Sequence, residues 1–68
     1  MTIIVNGEPK DCPAGASLAQ LVEQLQLKAD RVAVELNRNI AARNRWAETQ
    51  LQEGDRLEIV HFVGGGVT

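Results

Sequence analysis

The 68-residue sequence predicts a single α+β domain in which one helix packs on one face of a mixed sheet. Three observations predict this fold class. The chain begins with a β-branched run that leads into Asn6 and Gly7, a pair typical of a two-residue hairpin turn. Ser17 begins a segment whose apolar residues recur at helical spacing. The segment 56–63 is an apolar strand that lies near the end of the sequence.

The first half of the chain supplies a hairpin and the helix. After the first strand, the returning strand at 8–12 contains Pro9, which cannot donate to a ladder and therefore indicates an edge strand. Ser17 and Gln20 have the spacing of a capping box, which begins a helix predicted over 18–26. The apolar stripe of this helix must be buried against a sheet, and it consists of Leu18, Leu21, Val22 and Leu25.

The second half of the chain supplies the rest of the sheet. Alternation over 32–36 predicts a third strand, and a turn at 37–39 leads to a short partner strand at 40–41. The segment 44–50 has no strand pattern, so we expect loose turns that two apolar side chains anchor, Trp46 and Leu51. The last strand then joins the two hairpins and runs parallel to the first. This order describes a β-grasp, the ubiquitin-like fold, with four to five strands. Its inner face is predicted to contain Ile3, Val5, Val32, Val34, Leu36, Leu57 and Ile59.

Composition excludes several classes of function. Seven basic residues oppose nine acidic ones, and a net charge of -2 argues against nucleic-acid binding through a basic footprint. The chain has no apolar run of about 20 residues and no basic leader, so we expect no membrane span and no secretion. One cysteine, Cys12, and one histidine, His61, can build neither a disulfide nor a zinc site. We therefore expect a reduced, cytoplasmic protein without a metal.

No arrangement of catalytic side chains appears in the sequence. The only serine is Ser17, which caps the helix, and no glycine-rich loop precedes a helix. The unusual feature is the run of three glycines at 64–66, and it divides the chain into a β-grasp domain at 1–63 and a flexible tail at 64–68. Glycine lacks Cβ, so such a tail is slender enough to enter another protein's active site. The alternative is an ordinary frayed terminus.

The whole pattern resembles the ThiS-type sulfur carriers of the thiamin thiazole pathway. The similar elements lie in the same order and spacing over almost the whole chain: Val5 to Gly7, the capped leucine-rich helix, Ala33 to Asn37, Arg43, Trp46, Leu51, Gly54, Asp55, and Glu58 to Gly66. The resemblance implies a co-substrate rather than an enzyme. A ThiF-like adenylyltransferase would use ATP and magnesium to adenylate Gly66, and the carrier itself would bind no cofactor. A sulfur donor such as a cysteine desulfurase would then produce a thiocarboxylate, which a ThiG-like thiazole synthase would consume.

One departure from the family concerns the residues after the glycines. Carriers of this family that act directly end in a pair of glycines, whereas Val67 and Thr68 follow Gly66 here. Some related carriers are trimmed by a metalloprotease, and by analogy we expect these two residues to be removed. A cloning artefact or a variant that no longer carries sulfur are the alternatives.

The sheet face opposite the helix is the expected docking surface for the partners. Alternation directs three apolar side chains to it, Ile4, Val60 and Phe62, and two acidic side chains form a rim, Glu35 and Glu58. The alternative is ordinary apolar surface. For three further residues we expect structural roles: Cys12 as a small, partly buried residue, His61 as a packed or half-exposed residue, and Arg43 as a solvated side chain.

Other functions share this fold. A carrier of the same class can serve molybdopterin, cysteine or another sulfurated product. A ubiquitin-like modifier joined to lysines and a non-covalent β-grasp binding module belong to other classes, and the binding module would not need Gly65 and Gly66.

Overall fold

A computed structural model describes residues 1–62 of the chain, and within them one helix packs on a five-stranded sheet. The elements are β1 Thr2–Val5, β2 Glu8–Asp11, α1 Leu18–Gln24, β3 Val32–Leu36, β4 Asn39–Ile40 and β5 Arg56–His61, with 3₁₀ helices at Ala29–Arg31 and Arg43–Glu48. The strand order is β2-β1-β5-β3-β4. Strand β5 lies in the middle, parallel to β1 and antiparallel to β3. The β-grasp prediction is confirmed, and Pro9 lies on an edge strand as expected.

Two-residue turns with positive φ close both hairpins. Asn6 and Gly7 have φ of 50° and 83°, as the Asn-Gly pair predicts for a type I′ turn. Asn37 and Arg38 have φ of 51° and 73°, so the second hairpin uses the same kind of turn. The predicted turn at 37–39 is therefore one residue too long, and β4 begins at Asn39.

The capping box predicted from the sequence begins α1. The amide of Gln20 donates to Ser17 Oγ at 3.1 Å, and the amide of Ser17 donates to Gln20 Oε1 at 2.8 Å. These reciprocal bonds satisfy two amide donors that a helix start would otherwise leave free.

Helix α1 ends two residues earlier than predicted. Gln26 has φ of 61°, and its amide donates to the carbonyl of Glu23 at 2.9 Å. The amide of Leu27 donates to the carbonyl of Val22 at 3.1 Å. This is a Schellman ending, which usually has glycine where Gln26 stands, so no glycine in the sequence marks it. Among the described residues, no helix has the length and apolar character that crossing a bilayer requires.

The core lies between α1 and the inner face of the sheet. Six of the seven predicted inner-face residues are buried, and Leu36 is half-buried at the edge. Cys12 is fully part of the core at 5% exposure, as a reduced cysteine. Trp46 and Leu51 are buried from the irregular segment, and the Trp46 indole donates to the carbonyl of Ala41 at 2.9 Å. That segment forms the 3₁₀ helix Arg43–Glu48 rather than loose turns.

Arg43 is exposed, as expected, but its guanidinium also binds the chain's own backbone. Its Nε donates to the carbonyl of Ala29 at 2.6 Å, and one terminal nitrogen donates to the carbonyl of Val32 at 2.8 Å. The guanidinium carbon lies 5.5 Å from the centre of the Trp46 ring, within range for a cation–π contact. Arg43 therefore fastens the second 3₁₀ helix to the start of β3.

Strand ends account for the other differences. Strand β2 is bounded at Asp11, one residue short of the prediction, although Cys12 still exchanges two backbone hydrogen bonds with Met1, at 2.9 Å and 2.8 Å. Strand β5 is described to His61, and Val63, where the predicted strand ends, lies outside the described residues. His61 is exposed rather than packed, in a groove beside Leu25 and Leu27.

Truncating Leu21 to alanine should destabilise the domain by about 2–5 kcal/mol, because its side chain is completely buried against the sheet. Chemical denaturation would measure the loss. Glu23→Ala on the exposed side of the same helix is the control and should change the free energy of unfolding by less than about 0.5 kcal/mol. Equal losses in the two variants would contradict this arrangement of the core.

Candidate functional site: the outer face of the sheet

The sheet face opposite α1, called here the outer face, has unusually exposed apolar side chains. Three large apolar residues of the described chain are exposed, namely Ile40 at 83%, Val60 at 59% and Phe62 at 43%. Val60 alternates with the buried Leu57 and Ile59 along β5, which directs it away from the helix. An exposed apolar group of this kind is typical of a contact surface for another molecule.

Strand register places an acidic pair among these apolar side chains. Ala33 pairs with Val60, and Glu35 pairs with Glu58, so the members of each pair project from the same face. On the other side of β3, Ile40 lies opposite Glu35. These residues surround a shallow hollow of about 350 Å³, the outer depression, which is lined by Ala33, Val34, Glu35, Ile40, Glu58 and Val60.

Only some of the predicted docking residues lie at the outer depression. Glu35, Glu58 and Val60 line the outer depression, and Phe62 follows two residues beyond Val60. Ile4 is half-buried on β1 and pairs with Arg56. On β5, Glu58 and Val60 of the depression lie two and four residues beyond Arg56, about 7 Å and 13 Å at the rise of a strand. The sequence thus predicted the side of the sheet on which Ile4 lies but not its distance from the depression.

Ile40 is the site residue that the sequence analysis missed. It was assigned to a short strand, and its face was not predicted. Strand β4 has two residues, which is too short for an alternating pattern to show which face is buried. A two-residue turn would have been the available signal, because it sets Leu36 opposite Asn39 and hence Glu35 opposite Ile40.

The carboxylates of Glu35 and Glu58 have no cationic partner within the described part of the chain. Both residues are exposed. The ion pair found among residues 1–62 joins Arg45 and Glu48 at 3.2 Å, outside the outer depression. The depression therefore combines apolar walls with two negative charges that remain available to another molecule.

The end of β5 is held on both sides before the chain continues toward the glycines. On the β3 side, the amide of Phe62 donates to the carbonyl of Arg31 at 2.9 Å. On the β1 side, the Asn6 side chain accepts from the amide of Ile59 at 2.8 Å and donates to its carbonyl at 3.2 Å. Asn6 thus continues the ladder after β1 has turned away. The Asn-Gly pair in the sequence predicts the turn but not these two side-chain hydrogen bonds.

The predicted reactive segment lies outside the described residues, and this applies to each of its members: Gly64, Gly65, Gly66, Val67 and Thr68. Within residues 1–62, no three side chains of His, Cys, Asp or Glu lie close enough together to hold a metal ion. What the described site presents is an exposed hollow with apolar side chains and two carboxylates.

Comparison with known proteins assigns the family. The model of the ThiS family matches residues 3–66, which is almost the whole chain. The chain belongs to the ThiS family. The sulfur carrier protein ThiS of Escherichia coli is 32% identical over 66 residues, covering 97% of this chain and 100% of its own length.

The fold comparison agrees with the family. The crystal structure of the thiamine biosynthesis protein ThiS from Geobacter metallireducens matches with a TM-score of 0.83 and 32% identity, covering 97% of this chain and 100% of that one. A thiazole synthase from Magnetococcus marinus is 42% identical over 66 residues, covering 97% of this chain. This ThiS-family chain spans only about a fifth of that synthase.

Replacing Asn6 by glycine should destabilise the domain by about 1–2 kcal/mol, because two hydrogen bonds to Ile59 are lost while the positive φ stays accessible. Chemical denaturation would measure the total effect. Amide hydrogen exchange would show faster exchange at Ile59. Asn6→Asp is the matched control, since it keeps the acceptor for the Ile59 amide and loses the donor. Unchanged exchange at Ile59 in the glycine variant would contradict the role given to Asn6.

Proposed function

We propose that this chain is a sulfur carrier of thiamine biosynthesis. The observation that carries the proposal is the family match over residues 3–66, which includes the glycine run. Similarity over the full length of the Escherichia coli carrier supports it. In this proposal the chain is a co-substrate: its partners perform the catalysis, and the carrier presents a reactive C-terminus to them.

The proposed reactive group is the carboxylate of Gly66. A ThiF-like adenylyltransferase, using ATP and magnesium, lets this carboxylate attack the α-phosphate of ATP, so that pyrophosphate leaves and an acyl-adenylate forms. The terminal sulfur of a persulfide, made by a sulfur donor such as a cysteine desulfurase, attacks the adenylate, and AMP leaves. A thiol then attacks the resulting acyl disulfide, so that a disulfide forms and the thiocarboxylate is released. A glycine suits this position because no side chain hinders the attacking carboxylate. The carrier binds neither ATP nor the metal itself.

Gly66 offers a carboxylate only when no residue follows it. Val67 and Thr68 therefore have to be removed before activation, and we propose that a processing protease does so. The cut exposes the glycine pair formed by Gly65 and Gly66, while Gly64 lengthens the slender segment that enters the partner.

The length of the segment restricts where the partners can bind. Gly66 follows Phe62 by four residues, which span at most about 14 Å when fully extended. The partner's active site must therefore come close to the end of β5. The outer face meets this requirement, because Val60 and Phe62 are exposed on the same strand end. We propose this face, including Ile4, Glu35 and Glu58, as the docking surface for the partners.

The thiazole synthase relatives support the choice of one partner. In Magnetococcus marinus and Paramagnetospirillum magneticum, proteins named thiazole synthase contain a segment 42% and 36% identical to this chain, and it makes up 20% of each. A carrier-like segment in the same chain as a synthase supports a direct meeting between the two here. The buried, reduced Cys12 is compatible with a cytoplasmic location, which completes the proposal.

Intact mass spectrometry of the protein from its native cells tests this proposal. We expect a chain that ends at Gly66, with one oxygen replaced by sulfur when thiamine is in demand. A mass that retains Val67 and Thr68 without sulfur under the same demand would contradict the proposal. A product linked to lysine would instead support a ubiquitin-like modifier.

Replacing Phe62 by aspartate should weaken binding to the adenylyltransferase or the synthase by about tenfold or more while leaving the domain folded, because the side chain lies outside the core. Calorimetric titration would measure binding, and thermal unfolding would measure stability. Gln24→Asp on the helix side is the control and should leave binding unchanged. A large loss of stability in Phe62→Asp would show that this side chain is part of the core.

A further inference from the structure

The outer depression contains an arrangement that is unfavourable for the isolated domain. The amide of Asn37 donates to the carbonyl of Arg56 at 2.7 Å, and the amide of Phe62 donates to the carbonyl of Arg31 at 2.9 Å. Alternation along the ladder then makes Glu35 and Glu58 a hydrogen-bonded pair, whose Cα atoms lie about 5.5 Å apart. Like charges directly opposite each other in this geometry destabilise a sheet.

Neither glutamate forms an ion pair with a cation of residues 1–62. Arg56 lies two residues before Glu58 on the same face of β5, but it forms no ion pair with either glutamate within 4.0 Å. Because both glutamates are exposed on strands, a neutral side chain at either position would fold at least as well.

The neighbours of the acidic pair indicate what compensates it. Ile40 flanks Glu35 on one side, and Ala33 and Val60 lie next along the two strands. A partner that covers these apolar groups removes water from the carboxylates, and such charges must then be paired. An arginine suits the position, since its stem packs on apolar walls and its planar guanidinium can bond two carboxylates at once.

We propose that the outer depression is the binding site for an arginine side chain of the thiazole synthase, with the guanidinium between Glu35 and Glu58 and its stem against Ile40 and Val60. This inference rests on the proposed function and adds the chemistry of recognition to it. The synthase is the occupant because the thiazole synthase relatives contain a segment similar to this one over 97% of this chain. Covalent attachment keeps such a segment next to its synthase.

The experiment compares charge variants of the full chain for binding and for stability. Glu58→Gln should weaken binding to the thiazole synthase of the same organism by about tenfold, equivalent to about 1.4 kcal/mol, and should raise the thermal midpoint of the free domain. Glu35→Gln with Glu58→Gln should also remove most of the salt dependence of binding. Glu23→Gln on α1 loses the same charge away from the outer face and is the matched control.

A variant at Ile40 separates the contribution of the apolar wall to binding from that of the acidic pair. Ile40→Thr keeps a β-branched side chain on β4 and should weaken binding without changing its salt dependence. The synthase arginine would be identified by a charge exchange, in which Glu58→Arg loses binding and an arginine-to-glutamate variant of the synthase restores it.

Three results would overturn the inference. Binding to the synthase that is unchanged in the double glutamine variant would exclude the acidic pair from the interface. A loss confined to the adenylyltransferase would assign the depression to that partner instead. A fall in the thermal midpoint of Glu58→Gln would show an internal role for the charge. Failure of the proposed function is a separate observation, namely a wild-type chain that never acquires a thiocarboxylate while its binding to the synthase keeps the predicted charge dependence.

Discussion

The pairing of β5 with both neighbours is the constraint on which the rest of the structure depends. The two hairpins come from opposite halves of the chain, and β5 is the strand that joins them into one sheet. Its inner residues, Leu57 and Ile59, complete the surface on which α1 packs, and its outer residues Glu58 and Val60 are two of the six that line the outer depression. The Asn6 side chain extends this pairing to Ile59 across 53 positions of sequence. The core and the outer depression therefore both depend on the pairing of β5.

Much of the fold could be predicted because it depends on local patterns with clear physical causes. A positive φ at Asn6 and Gly7, the capping box at Ser17 and the alternation along β3 all follow from residue chemistry. The features that the sequence did not predict involve residues whose type does not specify their backbone conformation or their hydrogen-bond partners. Gln26 occupies a position where glycine is usual, and Arg43 finds carbonyl partners that only the assembled chain provides.

The candidate site likewise has features that the sequence predicts and features that it does not. Alternation predicted that Val60, Glu35 and Glu58 share the outer face, but it does not give the register between strands. Register decides that the two glutamates are directly opposite, that Ile40 joins them and that Ile4 lies far along the sheet. The importance of Gly66 came from resemblance to a family, since the physics of a glycine run alone allows a frayed terminus equally well.

The central position of β5 also restricts when the domain can form during synthesis. Both hairpins are complete before Arg56 is made, yet the strand that unites them is the last element described. A nascent chain must hold the apolar faces of β1, α1 and β3 without their central cover until residues 56–61 leave the ribosome. A chain that stops before Arg56 has no strand to join its hairpins and lacks Glu58 and Val60, two of the six residues that line the outer depression.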